Sequence, residues 1–385
     1  MVAFSPLSLH NQDLSLREKV WSLNWGLILL ICAIAGYGAA MLYSAAGGNF
    51  DPWADRHLAR FGIALVGLVM IALIDIRFWF RWSYLIYFAV FALLVLVELM
   101  GTTGMGATRW LDLHVVQLQP SEMMKVALVL ALARYFHGLS PEEVARPLSL
   151  VWPMLLVFAP VALVLKQPDL GTAMMLVAVS GAVFFAAGVR VWKFVAVLCA
   201  GLAAIPVAWG LLHDYQRDRV LTFLDPESDP LGAGYHILQS KIALGSGGLF
   251  GRGYLQGTQS HLNFLPEKHT DFIFTMLAEE LGMVGGLLLL GLFALVFVYG
   301  LAIALRARNQ FGRVLALGLT FNLFCYVFIN TGMVMGLLPV VGIPLPLISY
   351  GGTAMLTVMA AFGLTICVYV HRDLRISRRG PNEPI

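Results

Sequence analysis

The sequence predicts an all-α, polytopic integral membrane protein with about ten transmembrane helices and one long outer loop. Three observations carry that expectation. The 385 residues are 59% hydrophobic and only 12% charged, roughly half the charged share with which a soluble domain covers its surface. Apolar runs of about 17–25 residues, long enough to cross a bilayer, recur along the whole chain. Nothing alternates with the period of two that a lipid-facing barrel strand needs, so helices that satisfy their own backbone are what remains.

In chain order the runs lie near 24–46, 60–76, 79–100, 119–136, 151–167, 170–188, 194–213, 272–302, 314–338 and 347–371. With the N-terminus inside, the inner segments hold Arg17, Lys19, Arg77, Arg81, Arg134, Arg146, Arg190, Lys193, Arg306, Arg308, Arg313, Arg372, Arg375, Arg378 and Arg379. The short outer loops hold only Arg56, Arg60, Arg109 and Lys166. This asymmetry predicts cytoplasmic termini. The expected division is a cytoplasmic segment 1–23, a transmembrane domain 24–371 with an outer loop 214–270, and a cytoplasmic tail 372–385. The formal charge of +3 then reports topology rather than nucleic-acid binding. Asp13 and Glu18 interrupt the start, so no cleavable signal peptide is expected. Cys32, Cys199, Cys325 and Cys367 each fall inside a predicted span and read as small core residues.

Ionisable groups inside a membrane are costly, at least ~2.5–3.5 kcal/mol at a span's centre, so each calls for a reason. Glu122 and Lys125 in "QLQPSEMMK" stand at i, i+3 spacing. Either they neutralise each other near a helix end, or Lys125 faces a polar cavity and an anionic ligand. Asp169 in "KQPDLGTA" follows a proline and reads mainly as a helix cap. Glu279 and Glu280 sit about two turns into the eighth span, where adjacent acids should face protein or water.

The outer loop supplies Arg217 and Arg219, then Lys241 within a stretch whose Ile237, Leu238 and Ile242 suit the bilayer surface. Gly245, Gly247, Gly248, Gly251, Gly253 and Gly257 follow. Such a backbone can present N–H groups to phosphate, although flexible loops are often glycine-rich and no P-loop ending is present. In "GLLPVVGIPLPLISYGGTA" prolines and glycines break the apolar chain twice before Ser349 and Tyr350. Irregular backbone at membrane depth survives only when buried in protein or lining a cavity.

"FLPEKHTDFIF" puts Glu267, Lys268, His269 and Asp271 directly before a long apolar run. Asp271 there can cap the helix, satisfying its first N–H groups, or do chemistry at the membrane surface.

Four motifs together resemble the SEDS family (shape, elongation, division and sporulation proteins) over nearly the whole chain. They are "RWLDL…QPSE..K" at 109–125, "QPDLGTA" at 167–173, "GSGGLFGRG…FLPEKHTDFIF..LAEELG" at 245–282, and the proline-rich stretch at 336–354. The segments around 219–249 and 255–274 look like the elongation branch rather than the division branch. One departure is "GTA" at 352–354, where a serine often follows the threonine.

The resemblance implies a peptidoglycan glycosyltransferase that polymerises lipid II at the outer face of the bacterial inner membrane and releases undecaprenyl diphosphate. It also implies ten spans and a class B penicillin-binding protein as partner. Asp271 is the residue carried over as catalytic. The expected chemistry is a single inverting displacement with Asp271 as general base. Candidate substrate-binding residues are Arg109, Lys125, Arg217, Arg219, Lys241, Lys268, Glu122, Glu280 and Ser349. A divalent cation, magnesium or manganese, is a further candidate for the leaving diphosphate, with Asp271 and Glu267 a conceivable pair for it. Two rivals are a lipid II transporter and a non-catalytic scaffold for a penicillin-binding protein. Buried acids and a broken helix fit alternating access, but the chemical residues gather on one side and no inverted repeat is visible.

Overall fold

The computed structural model describes residues 15–104, 107–112, 117–211, 214–225, 233–261 and 267–377. The chain begins with α1 (Leu16–Trp21), α2 (Trp25–Ala45), α3 (Ala54–Leu73) and α4 (Ile76–Met100). Three short strands follow, β1 (Thr102–Gly104), β2 (Ala107–Asp112) and β3 (Gln117–Leu118). Next come α5 (Pro120–His137), α6 (Pro141–Ala145), α7 (Val151–Lys166), α8 (Leu170–Ala186) and α9 (Val191–Leu211). The long loop carries α10 (Asp214–Leu224), α11 (Ala233–Ser246) and α12 (Thr258–His261). Finally α13 (Ile273–Arg306), α14 (Gln310–Val334) and α15 (Gly352–Val370) complete the bundle.

Ten helices coincide with the ten predicted runs, and seven of the described ones are long and apolar enough to cross a membrane. Two of the other three have identifiable reasons to miss that standard. Helix α8 is 17 residues long, and α5 carries Glu122, Lys125 and Arg134.

Packing decides which face of each helix is buried, and the outward faces stay apolar. Helix α3 buries Phe61, Ala64, Leu68 and Ala72 at helical spacing while Ile63, Val66 and Met70 stay exposed to the apolar surroundings. Helix α5 instead buries every residue from Met124 to Ala133. It is the central post, between α4, α8 and α14, and a central helix is where charged side chains find protein partners rather than lipid.

Between α4 and α5, where the sequence places a short outer loop, the chain forms these three short strands. β1 pairs with β2 antiparallel, Thr103 opposite Thr108, and β2 with β3, Leu111 opposite Leu118. Threonine, tryptophan and leucine suit a half-buried strand, and a short hairpin satisfies backbone that no helix covers.

The glycine-rich segment after α11 lies against α13. A Cβ on Gly251 would stand 2.0 Å from the Glu280 carbonyl oxygen, and one on Gly282 2.3 Å from the Gly251 nitrogen. Gly282 also has φ +70° inside α13, a conformation that side chains disfavour. The backbones are then stitched together: Arg252 and Gly253 donate to the carbonyls of Glu279 and Glu280, both at 3.0 Å. In the described residues these glycines therefore serve backbone-to-backbone packing. Ile237 is 3% exposed, against the expectation that it rests on the bilayer, because α11 docks by that face; Ile242 is exposed. Ser240 at the same face bonds Thr275 and the Val334 carbonyl, each at 2.7 Å.

Candidate active site

Asp271 sits in a turn, residues 267–272, immediately before α13. Glu267 starts the turn with φ +55°, and its carbonyl accepts from the Thr270 N–H at 3.0 Å. Thr270 Oγ1 also donates to Glu267 Oε2 at 2.9 Å. The N-cap of α13 is Phe272, with no side-chain capping bond. Among the described residues the Asp271 carboxylate has no hydrogen-bond or ion-pair partner; only its backbone carbonyl is engaged. The capping explanation thus fails on geometry, since a capping carboxylate must accept from the first N–H groups of the helix.

The turn is held from below by the proline-rich segment. Ser349 Oγ donates to the Thr270 carbonyl at 2.6 Å and accepts from the Leu345 N–H at 2.8 Å. The Tyr350 N–H donates to the His269 carbonyl at 2.8 Å. Asn330 of α14, fully buried, donates from Nδ2 to the carbonyls of both Asp271 (2.9 Å) and Ile343 (2.7 Å). Gly342, with φ +69°, faces the carboxylate: a Cβ there would lie 3.3 Å from Asp271 Oδ2. The broken apolar stretch is therefore a cradle packed beneath one turn.

From above, the Trp53 indole stacks on the His269 ring at 4.5 Å with an 8° interplanar angle. Arg60 lies over the Tyr350 ring at 4.8 Å. Burial, and secondarily the negative charge of Glu267, raises the Asp271 pKa to about 6. Burial also lowers those of Lys268 and His269.

The other predicted residues divide by position. Glu122 and Lys125 form a buried pair at 2.6 Å; the Tyr326 hydroxyl donates to Glu122, and Lys125 Nζ lies 4.1 Å from the Tyr326 ring centroid. Tyr326 and Asn330 are four residues apart on α14, so this network lies one turn from the Asp271 anchor. Arg109 donates to the carbonyls of Gln167 and Pro168, and its Nε lies 4.0 Å from Asp169 Oδ2. Asp169 itself caps α8 through Thr172.

Lys241 packs against Gly336, where the cradle begins, and its Nζ has no partner among the described residues. Arg217 donates to the Trp209 and Gly210 carbonyls at the end of α9. The side chain of Arg219 lies outside the described residues. Glu280 accepts from Ser44 Oγ at 2.6 and 2.7 Å and from the Leu255 N–H at 3.3 Å, and Glu279 accepts from Thr258 and Gln259. Both acids tie the outer segment to α13. Trp53, Arg60, Asn330 and Tyr350 were not singled out as site residues by the sequence reading. A buried asparagine deep in an apolar run was the available signal for Asn330.

A family model described as cell cycle protein, covering FtsW, RodA and SpoVE, matches residues 22–374. The chain belongs to that family. It is 49% identical over 353 residues to the peptidoglycan glycosyltransferase MrdB of Escherichia coli (strain K12), covering 90% of this chain and 94% of that one. It is 37% identical to stage V sporulation protein E of Bacillus subtilis (strain 168), over 89% and 95% of the two chains. Among solved structures, a chain of a peptidoglycan synthase complex that coordinates polymerization and crosslinking superposes with TM-score 0.80 at 33% identity, over 91% of this chain and 98% of that one. The rod shape determining protein RodA of Thermus thermophilus superposes with TM-score 0.69 at 31% identity, over 91% and 97%.

Proposed function

We infer that this chain is a peptidoglycan glycosyltransferase, and we propose that Asp271 is its general base. The observation that carries the second statement is a carboxylate with no partner among the described residues, on a turn fixed from both sides, with a pKa raised to about 6. A base is most useful when its pKa lies near the working pH, and positioned proton transfer contributes typically ~10²–10⁴-fold. The acceptor is the 4-hydroxyl of the N-acetylglucosamine of lipid II. Asp271 takes its proton as the oxygen attacks the anomeric carbon of the growing chain. The bond from that carbon to undecaprenyl diphosphate breaks with inversion, and the diphosphate leaves. Lys268 lies in this turn, Arg60 over Tyr350, Lys241 against Gly336 and Lys125 beside Tyr326 of α14, and we assign these cations to the diphosphates of donor and acceptor.

A divalent cation belongs to the same proposal. Asp271 and Glu267 are two carboxylates on one turn, a donor set suited to magnesium that also binds substrate phosphates. Among the described residues no group of three His, Cys, Asp or Glu is arranged for a metal. When bound, the ion would neutralise charge on the departing diphosphate. Arginine-rich ends opposite Asp271 support cytoplasmic termini in the inner membrane and an active site on the outer face. The family resemblance and the synthase-complex neighbour support a class B penicillin-binding protein as partner.

The deciding experiment is turnover of lipid II by the purified chain in detergent. Polymer formed without a membrane barrier, and lost in Asp271→Asn, supports the enzyme. No polymer from folded protein together with facilitated lipid II movement in vesicles would favour a transporter instead.

A further inference from the structure

At the end of the bundle opposite Asp271 lies a cleft of about 780 Å³ that the proposed reaction does not use. It is bounded by the last residues of α5, the start of α6, the α13–α14 connection and the segment after α15. Its frame is built by hydrogen bonds. Asn309 caps α14 at 2.6 Å and donates to the Leu374 carbonyl at 3.1 Å, while the Arg308 N–H donates to the Arg372 carbonyl at 3.0 Å. The Phe311 N–H donates to His137 Nδ1 at 3.2 Å.

Three guanidinium groups line this frame: Arg308, Arg313 and Arg375. Arg308 faces Asp373 at 3.3 Å, and Arg313 donates to the Ala307 carbonyl at 3.3 Å. Arg375 is exposed and has no partner among the described residues. The nearby acids do not cancel this charge. Asp373 is shared with Arg372 at 3.6 Å, Glu143 bonds Ser140, and Glu142 is exposed on α6. Between the cations the walls are apolar, with Phe136, Val144 and Ile376.

Trp25, Trp152 and Trp192, all exposed, mark the starts of α2, α7 and α9 at this same end. Exposed tryptophans settle at the headgroup level of a bilayer. The cleft therefore opens where lipid phosphates are concentrated, and basic pockets between helices at that depth suit anionic headgroups.

We propose that this cleft binds the phosphate of an anionic phospholipid headgroup, with the apolar walls taking the first carbons behind it. It rests on the orientation argued above only for which leaflet supplies the lipid. A free phosphate offers the same oxyanion, so the test separates the two sources. The full chain, purified in detergent, is analysed by native mass spectrometry with phosphatidylglycerol, phosphatidylcholine or inorganic phosphate. Phosphatidylglycerol should be retained over phosphatidylcholine, and millimolar inorganic phosphate should not displace it.

Arg375→Gln, which breaks no bond among the described residues, should weaken retention about fivefold, the effect of one basic residue near a lipid surface. Arg308→Gln with Arg313→Gln and Arg375→Gln together should abolish it. Equal retention of both lipids, or unchanged retention in Arg375→Gln and the triple variant alike, overturns the proposal. Displacement by inorganic phosphate overturns the lipid assignment. The readout is independent of polymerisation, so a chain that binds phosphatidylglycerol but makes no glycan overturns only the function proposed above.

Discussion

Asp271→Asn should make the protein inactive and more heat-stable at once. The folded protein raises the pKa of Asp271 from an ordinary 3.8 to about 6, mainly by burial. It therefore binds this proton more tightly than the unfolded chain does, and stability falls as pH rises through that interval. Above pH 6 the whole cost of holding the carboxylate ionised is present. At about 1.4 kcal/mol per pH unit, and with allowance for its partial contact with solvent, that cost is roughly 1–3 kcal/mol. Asparagine is nearly the same size and carries no charge, so the variant escapes the cost at pH 7.5. It cannot take a proton, so polymerisation should fall on the order of 10²-fold or more. Thermal unfolding in detergent at pH 7.5 and at pH 5 gives the first quantity; the stability gain should shrink at the lower pH, where the wild-type carboxyl is itself protonated. Lipid II turnover gives the second. Normal polymerisation would refute the base assignment, and an inactive variant no more stable than wild type would refute the burial argument.

In wild type the acid limb of the pH–rate profile should fall near pH 6, and Glu267→Gln should move it to lower pH by removing the secondary charge effect; an unmoved limb would show that Glu267 does not act on Asp271. Asn330→Ala strips one donor from two carbonyls, those of Asp271 and Ile343, and should cost about 2–4 kcal/mol of stability as well as turnover, read as a lowered Tm and kcat. Gly282→Ala places a Cβ 2.3 Å from backbone at positive φ and should sharply reduce folded protein on size exclusion, whereas Gly291→Ala, with open space around it, should behave as wild type.

The reach of the sequence followed from how strongly the membrane constrains it. A bilayer demands about 20 apolar residues per crossing, so the ten runs could be read directly, and α5 stood out because Glu122 and Lys125 interrupt it. Its partner Tyr326 lies 204 residues from Glu122, and no local pattern announces that distance. The hairpin after α4 lies outside the apolar runs, where only weak β preference speaks. The glycine-rich segment shows the same limit from the other side. Glycine serves equally to meet a phosphate or another backbone, and only the docking of Gly251 on Gly282 reveals which contact is made here.

The two meanings of Asp271 could not be separated by sequence because capping and proton transfer ask for the same residue at the same place. What separates them is the register of the helix start. Phe272 occupies the cap position, so the aspartate one residue earlier is released from the helix. Its backbone is then fixed by Asn330, and the turn by Ser349 and Tyr350, while its carboxylate has no partner among the described residues. A structural acid would be expected to show the opposite pattern, as Asp169 does, with both carboxylate oxygens committed to Thr172. The proline-rich break is costly in a membrane unless it is buried. Buried here, it becomes a platform whose Ser349 hydroxyl and Tyr350 N–H, with Asn330 beside them, donate to the carbonyls of the turn rather than to the carboxylate.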